Sequence, residues 1–234
     1  MRVRAAWLGS IFVGTLLAGG VAHATPIFDV TVWSAATPGS TISSSSQQAL
    51  PTNTTLIQSG NEVATFTMTG LPNWDIANGG TNNVNNTLGN FIGGATGPGI
   101  SNFAAQGSYT TATALADILS TSSFASASIF DLSFTVNHQI SATVWHDDGM
   151  SIWSGDNSTL IPGTDSASPT TAIGTNVTLG PGSYNLWYVE ANGAPSVLKI
   201  TNYSVPEPGM LPLFAMGLLG VGSILAYRRR AGRV

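Results

Sequence analysis

The stretch SIFDLSFTVNHQISATVWHDDGMSIWS, residues 128–154, carries the clearest fold signal in this chain. Apolar and polar residues alternate over residues 128–136 and again over residues 139–146, which is the two-residue period of a strand with one buried face. The sequence Asp147-Asp148-Gly149 then interrupts the alternation, and Asp-Gly is a favoured hairpin turn. We therefore predict three consecutive antiparallel strands, the last at residues 150–154.

The same pattern extends to both sides of this stretch. Residues 37–60 and 71–108 are rich in Ser, Thr, Asn and Gly and are expected to be mostly loop, with a short ordered piece in the second segment. Residues 113–119 could form one or two helical turns. The sequence predicts an all-β fold, an antiparallel β-sandwich of lectin-like jelly-roll type over residues 25–204 with its core at 128–203. Further strands are predicted at residues 27–33, 62–69, 171–179, 183–190 and 196–203.

Charge is scarce and unevenly placed. Charged residues are 8% of the chain, and residues 25–205 hold ten acids and one lysine, a formal charge of −9. Such an acidic body is not expected to bind nucleic acid through phosphate contacts, whereas it could attract cations such as calcium. Because the chain has no cysteine, the domain must be held by its core or by a metal, without disulfides.

The N-terminus predicts export. Arg2 and Arg4 precede an apolar stretch at residues 5–21, and the small residues Ala22 and Ala24 then stand at the positions that a signal peptidase reads. We interpret residues 1–24 as a signal peptide that forms a helix, with the mature chain beginning near Thr25. A membrane anchor is the alternative, and the stretch is short for a bilayer span.

The C-terminus predicts a membrane tether. It reads VPEPGMLPLFAMGLLGVGSILAYRRR over residues 205–230, where residues 210–227 are long and apolar enough for a transmembrane helix. The arginines after the span are expected to remain cytoplasmic, which leaves the body on the other side of the membrane.

This C-terminal arrangement resembles the PEP-CTERM sorting signal of Gram-negative bacteria, which is recognised by exosortase. The resemblance covers residues 205–234 and implies processing near the proline-rich part, with the body first tethered to the inner membrane in the periplasm. It further implies a final place at the cell surface or in the extracellular matrix, among exopolysaccharide and biofilm. The residues that carry it are Val205, Pro206, Glu207, Pro208, Arg228, Arg229 and Arg230.

Asp147-Asp148-Gly149 has two interpretations. In the first it is an ordinary hairpin turn, with Asp147 as a solvated neighbour. In the second both carboxylates bind calcium, which prefers several oxygen ligands. Adjacent side chains on a strand point apart, so two ligands at these positions need an unusual backbone such as a cis peptide.

Residues 128–201 resemble the lectin-like β-sandwich shared by anthrax protective antigen and yeast flocculin adhesins. The matching features are a strand that runs into Asp147-Asp148-Gly149, the Gly182-Ser183-Tyr184 strand start, and the late loop with Asn192-Gly193. The resemblance implies that Asp147, Asp148 and Asn192 hold calcium, assisted by loop carbonyls near Ala194. Calcium would in turn hold sugar hydroxyls.

We expect an exported, non-enzymatic surface or matrix protein that binds carbohydrate or exopolysaccharide, with a structural matrix protein lacking a discrete ligand as the alternative. A hydrolase ranks last, because adjacent carboxyls in one turn face each other poorly across a glycosidic bond. His146 beside the aspartates is either a ligand or simply hydrogen-bonded. Aromatic residues that could stack on sugar rings, or else belong to the core, are Trp145, Trp153, Trp187, Tyr184 and Tyr188.

Overall fold

The computed structural model describes residues 25–37 and 44–205 of the 234-residue chain. The predicted signal peptide with its cleavage residues, the predicted span at residues 210–227 and the arginine cluster all lie outside the described residues. The described part ends at Val205, the first residue of the predicted sorting signal. Within the two described ranges, no helix is both long and apolar enough to cross a bilayer.

The described part is built mainly of β-strands, and every strand pairing is antiparallel. The predicted all-β antiparallel fold is therefore confirmed. Two short α-helices and two 3-10 turns, Ser45–Gln47 and Thr81–Asn83, lie between the strands. The elements are β1 Ile27–Ala36, β2 Glu62–Thr69, β3 Asn73–Ile76, α1 Leu88–Ile92, β4 Ile100–Ala105, α2 Thr111–Leu115, β5 Ser126–Val136, β6 Ile140–Asp147, β7 Gly149–Ser154, β8 Ile173–Leu179, β9 Gly182–Glu190 and β10 Ser196–Ser204.

The strands form two sheets that pack against each other. The six-stranded sheet has the order β4-β2-β1-β5-β9-β7, and the four-stranded sheet has the order β3-β10-β6-β8. Val30, Phe130 and Leu132 of the larger sheet share one core with Val144 and Leu198 of the smaller sheet, and none of the five is more than 2% exposed. Burial of this apolar surface is the main force that holds the two sheets together.

The segment at residues 71–108 is more ordered than its composition predicts. It contributes β3, β4 and α1, of which only a short ordered piece was expected. Several of its few apolar side chains reach the core: Trp74 and Phe91 are buried, and Phe91 stacks on Tyr188 with a centroid distance of 5.8 Å. Polar residues that lie between these anchors hide the strand pattern from a local reading. The expected helical turns at residues 113–119 occur earlier, as α2.

A second, smaller core lies on the outer face of the six-stranded sheet. Leu56 and Ala49, from the Ser- and Thr-rich segment after β1, pack there with Ile129, Trp187 and Val189. Its described residues, 44–60, form a loop with one 3-10 turn, as predicted, yet they cover part of the sheet. The sheet is therefore apolar on both faces along part of β5 and β9, which explains the run Leu186-Trp187-Tyr188-Val189.

Strand direction separates the two ends of the sandwich. β6 and β9 end at Asp147 and Glu190, and β10 begins at Ser196 beside them. The described chain leaves at Val205 at the opposite end, after the nine residues of β10, a distance of about 30 Å at the usual rise per residue. An open cleft of about 670 Å³ lies at this second end, with a lining that includes Phe28, Ile140, Leu179, Tyr203 and Val205.

Candidate functional site

The two aspartates lie buried at the junction of β6 and β7. Asp147 is 4% exposed and Asp148 is fully buried, and the peptide bond between them is cis. Asp147 is therefore not the solvated neighbour of a hairpin turn. The predicted hairpin is wrong, because β6 and β7 belong to different sheets and do not pair with each other. Gly149 follows at a point where a β-carbon would stand 2.1 Å from the carbonyl oxygen of Ala167, so only glycine fits this close approach of two chains.

Asp148 ties this junction to the loop between β9 and β10. Its Oδ2 accepts hydrogen bonds from the backbone N–H groups of Ala191, at 2.8 Å, and Asn192, at 3.0 Å. Its other carboxylate oxygen, Oδ1, is buried and receives no hydrogen bond from an N–H or hydroxyl group of the described residues. When Asp148 is protonated, its carboxyl group can donate to the neighbouring carboxylate of Asp147. The structure thus brings Asp147 and Asp148 beside the loop that carries Asn192, and it leaves one carboxylate oxygen without a donor.

The electrostatics of the pair favour an external cation. Burial raises the pKa of Asp148 to about 7, an effect that the Ala191 N–H opposes and the charge of Asp147 reinforces. Burial also raises the pKa of Asp147 to about 6. Lys199, the one cation between residues 25 and 205, pairs with Asp75 and is not available to either group. Near neutral pH Asp148 is thus only partly ionised, and the described residues supply no positive charge that would favour ionisation of both carboxyls.

A buried polar network contacts the backbone of the aspartate pair. The phenol Oη of Tyr188 lies 2.5 Å from the carbonyl oxygen of Asp147 and 3.1 Å from Oε2 of Glu190. The phenol O–H of Tyr188 is the donor in this network, and both oxygens are acceptors within its reach. Burial raises the pKa of Glu190 well above its usual range, an effect that the hydrogen bonds from Ser120 and Tyr188 oppose.

The loop after β9 is also held by side chains from distant segments. The N–H of Gly193 donates to Ser120 Oγ at 2.8 Å, and that hydroxyl donates to Glu190 Oε1 at 2.6 Å. Asn83 Oδ1 accepts from the N–H of Ala194 at 3.3 Å. Sequence reasoning missed Asn83, Ser120 and Glu190. The available signal was a single glutamate at the end of an otherwise apolar strand.

The oxygen-rich composition of this site fits calcium. Carboxylate and amide oxygens are ligands that calcium prefers, and Asp148 Oδ1 is a buried acceptor without a donor. Asn192 is half-buried, and its side-chain amide makes no hydrogen bond in the described part of the chain. Residues 25–37 and 44–205 contain no cluster of three or more His, Asp or Glu side chains arranged as metal ligands. A calcium ion here would thus need amide, carbonyl or ligand oxygens besides the two carboxylates.

The other candidates divide by burial. His146 is buried, with Nδ1 2.6 Å from the carbonyl oxygen of Asp148 and Nε2 3.0 Å from Thr175 Oγ1, so it is a hydrogen-bonded core residue. Trp187 and Tyr188 are buried, and Trp153 is half-buried with its indole N–H on Ser151 Oγ. Trp145, by contrast, is 43% exposed.

Residues 204–230 match the PEP-CTERM protein-sorting motif. This match confirms the sorting signal predicted from Val205 through Arg230. The chain is accordingly an exported protein whose C-terminal membrane-anchor signal is handled by exosortase. No curated protein matches the sequence.

Solved structures that are similar to this chain include two PA14 domains. The PA14 domain of an antifreeze protein is 11% identical with a TM-score of 0.46, covering 78% of this chain and 83% of that chain. A PA14 sugar-binding domain from an RTX adhesin is 14% identical with a TM-score of 0.41, covering 78% and 95%. A GH31 alpha-xylosidase from Xanthomonas citri is 7% identical with a TM-score of 0.36, covering 79% of this chain and 15% of that enzyme.

Proposed function

We propose that this exported protein binds carbohydrate, in the form of extracellular polysaccharide, through a calcium-supported site at Asp147, Asp148 and Asn192. The observation that carries the proposal is the buried Asp148 carboxylate, which holds the Asn192 loop with Oδ2 and leaves Oδ1 without a donor. A buried anion without a compensating charge is costly, so a bound divalent cation would stabilise this arrangement.

Each residue has a distinct part in the proposed site. Asp147 and Asp148 supply negative charge, and the amide oxygen of Asn192 supplies a neutral ligand. The hydrogen-bond network around Tyr188 and Glu190 fixes the backbone of Asp147 and Asp148 in the absence of ligand. Calcium, when bound, would offer free coordination positions to sugar hydroxyls. The proposed role is recognition without bond cleavage, since the two carboxyls are neighbours in one turn and do not flank a substrate bond.

A structural matrix protein without a discrete ligand is the second candidate. The observation that favours it is the pair of backbone N–H bonds to Asp148 Oδ2. These bonds already make Asp148 part of a hydrogen-bond network within the protein. In that case the polar surface of the sandwich would serve as a hydrated face within the matrix.

The deciding experiment is a calorimetric titration of calcium into the purified exported protein, followed by a glycan array with calcium or with EDTA. We expect saturable calcium binding and saccharide binding that EDTA removes, both lost in Asp148→Asn. A measurable heat of calcium binding without any saccharide binding would reject the carbohydrate role. The absence of any heat of calcium binding would reject the metal site and favour the structural matrix protein.

A further inference from the structure

Trp145 lies flat on the outer face of the four-stranded sheet. Its cross-strand partner is Gly174 on β8, where a β-carbon would stand 3.1 Å from Cε2 and 3.2 Å from Cζ2 of the indole. The absence of a side chain at this position lets the benzene ring of the indole lie against the sheet. Since 43% of the residue remains exposed, the other side of the ring faces solvent. Trp74 and Trp187, in contrast, are no more than 4% exposed.

The surroundings of this indole are polar. Thr143 precedes it on the same face of β6 and donates to Asn176 Oδ1 at 2.8 Å. Lys199 is its partner across the strand on β10 and pairs with Asp75. A flat aromatic ring surrounded by hydroxyl, amide and charged groups suits a ligand with an apolar face and a polar rim, as a pyranose ring has.

Trp145 lies close to the site at the end of β6 along the same strand. Side chains alternate along a strand, so Trp145 and Asp147 emerge on the same face, about 7 Å apart along the strand. His146 between them points into the protein and is fully buried. A saccharide held by hydroxyls at Asp147 and Asn192 could therefore extend its next ring over the indole.

We propose that Trp145 is a stacking subsite for a second saccharide ring, so that the ligand is an oligosaccharide or polysaccharide chain rather than a monosaccharide. This inference rests on the proposed carbohydrate function and deepens it. The subsite selects chain length, while the carboxylates and Asn192 provide the cation-dependent anchor.

The test compares the binding of mono-, di- and tetrasaccharides of glucose, mannose and N-acetylglucosamine to the purified exported protein in calcium. Trp145→Ala is expected to keep calcium affinity and monosaccharide binding but to weaken tetrasaccharide binding about five- to tenfold, the loss of one aromatic contact. Trp145→Phe should restore part of that affinity. The matched control is Ile173→Ala, which removes a 46% exposed aliphatic residue of the same sheet.

The outcomes are separable. The inference is overturned if wild-type affinity does not rise with chain length, or if Trp145→Ala retains the rise, and in both cases the anchor site stands. An equal loss in Ile173→Ala overturns it as well, because the effect would then belong to general apolar area. If wild-type protein binds neither calcium nor any saccharide, the proposed function fails together with the subsite. Self-association in ultracentrifugation that Trp145→Ala abolishes would assign the indole to contact between copies instead.

Discussion

Substitutions at Asp148 separate its two roles, because one carboxylate oxygen is hydrogen-bonded and the other has no donor. Asp148→Asn retains an amide oxygen that can accept the N–H bonds of Ala191 and Asn192. It removes the negative charge. Asp148→Ala removes both the charge and the acceptor.

The magnitudes follow from these contacts. In Asp148→Ala two N–H groups lose their partner, and at about 1–3 kcal/mol for each unsatisfied buried group the expected loss is about 2–6 kcal/mol. For a chain of this length that corresponds to a fall in Tm of roughly 4–24 °C. Without calcium, the unfolding free energy of Asp148→Asn should lie within about 1 kcal/mol of the wild-type value, since both hydrogen bonds remain.

Calcium should stabilise wild type and leave Asp148→Asn unchanged. At a free concentration of about one hundred times Kd, a ligand that binds only the folded protein adds about 2.7 kcal/mol, which is roughly 5–10 °C in Tm. Differential scanning calorimetry of the three proteins in EDTA and in calcium measures both effects. A full calcium-induced rise in Asp148→Asn would refute Asp148 as a ligand. Equal melting of the Asn and Ala variants in EDTA would refute the role given to Oδ2.

The remaining predictions concern burial and close contact. Burial raises the pKa of Asp131 to about 7, so its contribution to stability is present at low pH and is lost as pH rises through that value. Asp131→Asn should therefore flatten the fall in unfolding free energy between about pH 4 and pH 7 in urea titrations, and an unchanged slope would contradict this. Gly149→Ala places a β-carbon 2.1 Å from the carbonyl oxygen of Ala167 and should lower stability by about 2–4 kcal/mol in the same assay. Gly180→Ala is the matched control, because nothing lies within 4 Å of its added β-carbon, and a similar loss there would reject the steric explanation.

Several features of the site were readable locally because adjacent residues carry them. The alternation along β5 and β6 predicted strands, and the Asp-Asp-Gly sequence predicted a turn where β6 ends. That this turn joins two sheets and forms no hairpin was not readable from it. The sorting signal was readable for the same reason, as its parts stand in order along the chain. Calcium binding by Asp147, Asp148 and Asn192 stays a prediction, which the placement of the three residues supports.

Long-range packing decided what no local pattern contains. β3 and β4 form in a segment rich in Asn and Gly because Trp74 and a few other apolar side chains reach a core assembled by distant strands. Ser120 and Glu190 are 70 residues apart and meet only in the folded protein.

The sequence by itself determined that this is an exported, antiparallel β-protein with a paired-aspartate break after a strand, since periodicity and short motifs are properties of neighbouring residues. Only the tertiary structure decided the environment of those residues. It buried both aspartates, placed the Asn192 loop against Asp148, and left Trp145 open over Gly174 while Trp187 was covered. The physical reason is that burial, pKa and access to ligand depend on what the rest of the chain packs against each side chain, and that packing is set by contacts across the two sheets.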